Sequence, residues 1–184
     1  MRKIIMSKFI FASLVLAGFL GGCATSNTPD VVTHYDRFTG FRTDIIPDNL
    51  LEVTGDVREV VWLNASRVFK DQQDFDYYLE VHYEARAETG LINIAPGTSL
   101  VLVADSKEIK LKGSGSLNTH KSRGELVSED ALYNVSADEL RAIANAQKVK
   151  VKIIGRNGLV ERDFTPTNFQ KFKKFVTNYV DGGS

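Results

Sequence analysis

The chain has 184 residues, 23 basic against 23 acidic side chains, 43 % hydrophobic residues, one Cys, one Trp and four Pro, the profile of an ordinary globular domain. That profile excludes a disordered chain, a collagen, a coiled coil and a disulfide scaffold, and the balanced charge shows no basic bias toward nucleic acid. A domain of about 160 residues buries roughly 70 % of its unfolded surface, enough for a core that needs no metal or disulfide staple.

The amino terminus carries Arg2, Lys3 and Lys8, then an uncharged run over residues 9–19. That run falls well short of the roughly 20 residues a membrane-spanning helix requires and has the length of a signal-peptide core. It closes on Leu20-Gly21-Gly22-Cys23. This tetrapeptide resembles the lipobox of bacterial lipoproteins, in which a branched apolar residue and two small residues fit the signal peptidase ahead of the Cys. The resemblance implies that residues 1–22 are removed, that the Cys23 thiol carries diacylglycerol and that the new amino group is acylated. A single Cys agrees with this, since it has no partner for an internal disulfide. Without residues 1–22 the mature chain would have 20 basic and 23 acidic residues, a net charge of −3.

One acyl chain holds a protein marginally, at about 0.8 kcal/mol per buried methylene, while several hold it in effect permanently. In Gram-negative members of the lipoprotein class an Asp after the Cys retains the protein at the inner membrane. Here that position is Ala24, which implies the outer membrane, facing the periplasm, as the address in a Gram-negative cell. Residues 23–32 read as a lipidated terminus and tether. The stretch 24–31 (ATSNTPDV) is polar and reaches at most about 3.3 Å per residue, so the domain is held close to the bilayer. Residues 33–184 show no repeat and no second composition regime, and read as one globular domain.

Residues 33–46 are rich in aromatic and β-branched types but contain Gly40, and predict one irregular or edge strand closed by Pro47-Asp48-Asn49. Residues 57–69 are apolar on both parities, as in a central or bulged strand, with a short helix as the alternative. Residues 75–87 alternate cleanly. Phe75, Tyr77, Leu79, Val81, Tyr83 and Ala85 share one face, opposite Asp76, Tyr78, Glu80, His82, Glu84 and Arg86. Residues 99–104 and 108–112 predict a hairpin around Asp105-Ser106-Lys107. Residues 113–124 (GSGSLNTHKSRG) predict a mobile loop, and 125–135 a last strand before the helical part.

Ser136-Ala137-Asp138-Glu139 has the spacing of a capping box, with Val135 and Leu140 at the staple positions, and predicts a helix to about Gln147 with Leu140, Ile143 and Ala144 inward. Alternating Lys148, Lys150 and Lys152 with Val149, Val151 and Ile153 predicts a strand, returned by an Asn157-Gly158 hairpin turn through residues 159–164. Thr165-Pro166 caps a second helix with Phe169, Phe172, Val176 and Tyr179 on one stripe and Phe175 and Val180 beside it. The order implies an α+β domain with a mainly antiparallel sheet and two carboxy-terminal helices separated by a β-hairpin, or else a sandwich with both helices on one face. The Tyr35-Asp36-x-Phe38-Thr39-Gly40 opening together with the closing helix, hairpin and Phe-rich helix loosely resembles small bacterial envelope proteins of uncharacterised function, and the resemblance implies no activity.

Catalytic signatures are sparse. His34, His82 and His120 sit in unlike contexts with no metal-ligand spacing, so neither a metal nor a cofactor is expected. Gly113-x-Gly115 lacks the ending of a phosphate loop, Ser114, Ser116 and Ser122 have only His120 nearby in sequence, and Asp71, Asp74 and Asp76 lack the Gly and distal Glu of a calcium loop. Two features stand out as a candidate binding surface. One is the row Lys148, Lys150 and Lys152, with Lys107, Lys110, Lys112, His120, Lys121 and Arg123 clustered in sequence around the 113–124 loop. The other is Tyr78 with His82 and Glu80 on the polar face of the best strand.

The expectation is a non-enzymatic, lipid-anchored envelope protein that binds or scaffolds an envelope protein or glycan. The alternatives are a hydrolase of an envelope polymer, which needs a cleft joining His82 or His120 to a carboxylate, and a carrier of a small apolar ligand, which needs a cavity. Because the thiol is the acyl acceptor, Cys23→Ser is expected to leave the precursor uncut and unlabelled by radioactive palmitate. Label entering the variant would refute the lipobox reading.

Overall fold

Side chains that alternate between core and solvent dictate a pleated sheet, and strands dominate the computed structural model, which describes residues 31–55, 58–70, 73–122 and 125–182. Cys23 and the rest of residues 1–30 lie outside the described residues, as do Asp71 and Arg123. Ten strands form one sheet in which every pairing is antiparallel: β1 Val32–Tyr35, β2 Arg42–Ile45, β3 Glu59–Lys70, β4 Gln73–Arg86, β5 Gly97–Ala104, β6 Lys107–Gly113, β7 Asn118–Ser122, β8 Leu126–Val135, β9 Val149–Ile154 and β10 Leu159–Asp163. Helix α1, Ala137–Asn145, lies between β8 and β9, and α2, Pro166–Phe175, follows β10 and runs into a π-helical turn, Val176–Asp181. No helix among the described residues is long and apolar enough to cross a membrane.

The spatial order is β1-β2-β3-β4-β8-β6-β5-β9-β10, with β7 alongside β8. The long ladders β3–β4 and β4–β8 make one half, and β6–β5–β9–β10 the other. Between the halves β6 and β8 are paired only at Gly113 and Tyr133. A Cβ on Gly113 would stand 2.7 Å from the Tyr133 ring and 2.8 Å from the Leu132 carbonyl, so only glycine lets the two strands meet. At the far side Glu52 N–H donates to the Asp163 carbonyl at 3.1 Å, while Leu51 N–H donates to Val61, so residues 51–52 link β10 back to β3.

One apolar cluster draws on both halves. Leu63, Leu79, Val81, Leu100, Leu102, Val151 and Ile153 are wholly or almost wholly buried, together with Leu140 and Ile143 of α1 and Phe172 and Phe175 of α2. Both helices start as their spacing predicts. Ser136 Oγ accepts from Glu139 N–H while the Glu139 carboxylate accepts from Ser136 N–H, and Thr165 and Asn168 repeat the arrangement.

Four expectations need correction. Residues 33–46 form two short paired strands, not one, because the Asp36 carboxylate accepts the Phe38 and Thr39 amides and so folds a turn between them. Residues 113–124 are not all loop, since β8 supplies a ladder edge on which 118–122 pair as β7, a polar strand that periodicity cannot reveal. The β9–β10 turn closes through Gly155 N–H to the Gly158 carbonyl, one residue earlier than an Asn157-Gly158 turn. The Arg156 and Asn157 amides are taken by the Asn93 and Ile92 carbonyls, which fixes that register. The last helix changes to a π turn at Val176, and its buried side chains are Asn168, Phe172, Phe175, Val176 and Val180, leaving Phe169 and Tyr179 at the margin. Phe172 is fully buried and packs on Phe164, so Phe172→Ala is expected to cost about 3–5 kcal/mol through the cavity it leaves, read as a lowered denaturant midpoint.

Candidate functional site

On the outer face of the sheet, Trp62 of β3, His82 of β4 and Asp130 of β8 stand in one cross-strand row. His82 Nδ1 is 2.5 Å from Asp130 Oδ1, and the Trp62 ring lies 5.1 Å from the imidazole at 50°. Four residues back along β4, Tyr78 stands between Ser66 and Asn134, while the Asn64 amide donates to Glu80 at 3.4 Å. The polar face of β4 is therefore organised by cross-strand partners. Asp130 lies far from His82 in sequence, and only the β4–β8 register reveals it.

The lysine row is placed elsewhere. Lys148, Lys150 and Lys152 flank or lie on β9, separated from β4 by β8, β6 and β5, so the structure does not bring them together with Tyr78 and His82. Lys150 pairs with Asp163 at 3.2 Å and Lys152 with Glu161 at 3.5 Å across the β9–β10 ladder. These cations are thus offset by facing carboxylates. Reversing all three to Glu would oppose like charges across a ladder, which is destabilising. Lys110 and Lys112 line an open groove with Leu117, Leu132 and Glu139 where β6 and β8 diverge, while Lys110 also pairs with Glu108 at 2.7 Å. His34 is exposed on β1.

A larger cleft opens between the ends of β3, β4 and β8 and the β9–β10 turn, with a volume of about 780 Å³. Its walls include Leu91, Ile92, Leu126, Leu159 and Val160, and Glu59 and Tyr83 line it as a linked polar pair, with Arg162 bound to Glu59 from outside the lining. Glu59 Oε1 accepts from Arg162 at 2.7 Å, and Glu59 Oε2 accepts from the Tyr83 hydroxyl at 2.8 Å. Burial first, then the hydrogen bond and charge of Glu59, push the Tyr83 phenol far above its ordinary range, so it stays protonated. Behind this cleft Glu129 is completely buried, its carboxylate accepting from the Asn93 amide at 3.0 Å, the Ile94 amide at 2.9 Å and the Ser116 hydroxyl.

Sequence reasoning did not single out Glu59, Glu129 or Arg162, yet a signal was there. Each is a charged residue on the apolar parity of its strand: Glu59 with Val61 and Leu63, Glu129 with Val127 and Ala131, Arg162 with Val160 and Phe164. Such a residue must find a partner inside, because burying an unpaired charge is prohibitive. Asp44 and Arg67 follow the same rule, with Arg67 Nε donating to Asp44 at 3.0 Å and its Nη1 to the Tyr179 carbonyl at 2.8 Å. Among the described residues, no three of His, Cys, Asp and Glu come together in a way that could hold a metal ion.

Burial also raises Tyr133, partly offset by its bond with Ser99, and raises Tyr77. The native state therefore keeps these protons at a pH where the unfolded chain releases them. Linkage then makes stability complete below the ordinary tyrosine value of about 10 and decreasing as pH rises past it. Denaturant midpoints measured from about pH 8 to about pH 11 should show that fall, and Tyr83→Phe should make it shallower. Set against known proteins, the chain matches no family model, no curated protein and no solved structure.

Proposed function

We propose that this chain is a lipid-anchored protein of the bacterial envelope, acylated at Cys23 and addressed in a Gram-negative cell to the periplasmic face of the outer membrane, and that it binds a partner or ligand rather than transforming one. The carrying observation is the cleft at Glu59. Its lining mixes apolar and polar groups in about equal measure, and within it the Glu59 carboxylate already accepts two donors and the Tyr83 phenol stays protonated. Fixed dipoles of this kind orient a bound group. Supporting the anchor are Leu20-Gly21-Gly22-Cys23 and the short uncharged run before it. A sandwich-like reading of the body, with the β-hairpin between the helices as part of one wall, is supported by the shared core of the two half-sheets and by the Glu52–Asp163 link.

The occupant this cleft suits is an apolar group with a polar end, as on an envelope lipid, a peptide side chain or a glycan aglycone. Anilinonaphthalene sulfonate should bind the protein with a blue-shifted emission, and Leu159→Arg, at an exposed rim position, should weaken that binding by about tenfold with the fold intact. Equal binding by the variant would remove the cleft as the site. Turnover of an envelope polymer that disappears in His82→Ala would replace this reading with a hydrolase built on the His82–Asp130 pair.

A further inference from the structure

The turn between β1 and β2 presents apolar side chains where a soluble surface would hide them. Phe38 is fully exposed at 102 %, Tyr35 is 65 % exposed and Phe41 44 %. Isolated exposed hydrophobics are common, but three aromatics on one turn of seven residues are a patch, and patches mark contact sites.

The turn is also built, not loose. Asp36 Oδ1 accepts from Phe38 N–H at 2.8 Å, Asp36 Oδ2 accepts from the Thr39 hydroxyl at 2.7 Å, Gly40 N–H returns to the Asp36 carbonyl at 2.8 Å, and Asp36 N–H donates to Phe41 at 2.9 Å. These donors, the Thr39 hydroxyl foremost, hold the Asp36 carboxyl below its usual range. Gly40 sits at φ +76°, which a side chain would oppose. The aromatic tip is thus held in one outward conformation with little ordering entropy left to lose on contact.

Cations surround it. Arg37 is exposed on the turn and Lys70 Nζ lies 5.7 Å from the Phe41 ring centre, while the one carboxylate of the turn is consumed by its own amides and hydroxyl and the half-exposed Arg42 is paired with Asp44 at 3.3 Å. Aromatic rings flanked by Lys and Arg are the composition of a bilayer interface, where rings sit at headgroup depth and cations meet lipid phosphates.

The chain length fits. From Cys23 to Val32 there are nine residue steps, a reach of up to about 30 Å, while β1 carries the chain only about 13 Å from Val32 toward the turn. An anchor at Cys23 and the tip can therefore occupy the same leaflet. We infer that the β1–β2 turn is a second membrane contact, its Tyr35, Phe38 and Phe41 seated at the headgroup level of an anionic bilayer with Arg37 and Lys70 on the phosphates. The geometry rests on the lipid-anchored reading, but the contact itself is measured separately.

The test uses the full-length protein in vesicles of phosphatidylethanolamine and phosphatidylglycerol brominated on the acyl chains near the headgroup. Trp62, the single Trp, is seven residues along β3 from Phe69, the residue paired with Arg42 beside the turn, or about 23 Å away. Wild-type emission should therefore be the same in brominated and plain vesicles. The emission added by Phe38→Trp, at a position with no buried contact to lose, should fall at least about twofold in the brominated vesicles, as expected of a ring at headgroup depth. The intact mass of the same sample reads acylation at Cys23. An acylated protein whose added emission is not quenched overturns the tip contact and leaves the anchor standing, whereas quenching without acylation upholds the tip contact and removes the anchor.

Discussion

A carboxylate with no access to solvent ties the two halves of this sheet together where the ladder between them is thinnest. Glu129 projects inward from β8 in one half, and its acceptors are taken by the amides of Asn93 and Ile94 and by the Ser116 hydroxyl. Ile94 in turn bridges to Gly155, and Ala95 N–H donates to Ile154 at the end of β9 in the other half. The ladder itself crosses between the halves only at Gly113 and Tyr133, so this side-chain anchor supplies directional bonding that the backbone lacks there. Leaving a buried donor without its acceptor costs about 1–3 kcal/mol, so removing the carboxylate would strand several groups at once.

The same device recurs. Arg67 and Asp44 bind β2 to β3 and reach the π turn through the Tyr179 carbonyl, and Glu59 with Arg162 ties β3 to β10. Each pair joins segments distant in sequence, and breaking one partner of such a pair typically costs about 3–5 kcal/mol because the other charge is left uncompensated. The charges on inward parity are therefore the rivets of the fold. One of them, Glu59, also lines the cleft between the ends of β3, β4 and β8.

Strand β3 gives the molecule an axis. Glu59, at its start, lies at the cleft, while Lys70, at its end, lies beside the aromatic β1–β2 turn, about 36 Å away along twelve extended residues. The cleft and the aromatic turn therefore stand at opposite ends of this strand. The His82–Asp130 row occupies the sheet face between these ends.

Local chemistry determined what could be read from the chain alone. The Ser136–Glu139 capping box, the Thr165-Pro166 cap and the alternation of β4 each depend on residues within a few positions of one another, so they are visible in a one-dimensional pattern. The inward sides of α1 and β4 followed directly, since a period of 3.6 or 2 leaves no choice of face. Tertiary structure decided the rest. The polar strand β7 exists because β8 offers a ladder edge, and the β9–β10 turn shifts by one residue because residues 92–93 claim its amides. The lysine row of β9 faces carboxylates that belong to β10, and Asp130 reaches His82 only through the β4–β8 register. Charges on inward parity were legible as charges requiring partners, but which partner each one meets is set by strand order and register. Those depend on how the whole core packs, which no local stretch of the sequence encodes.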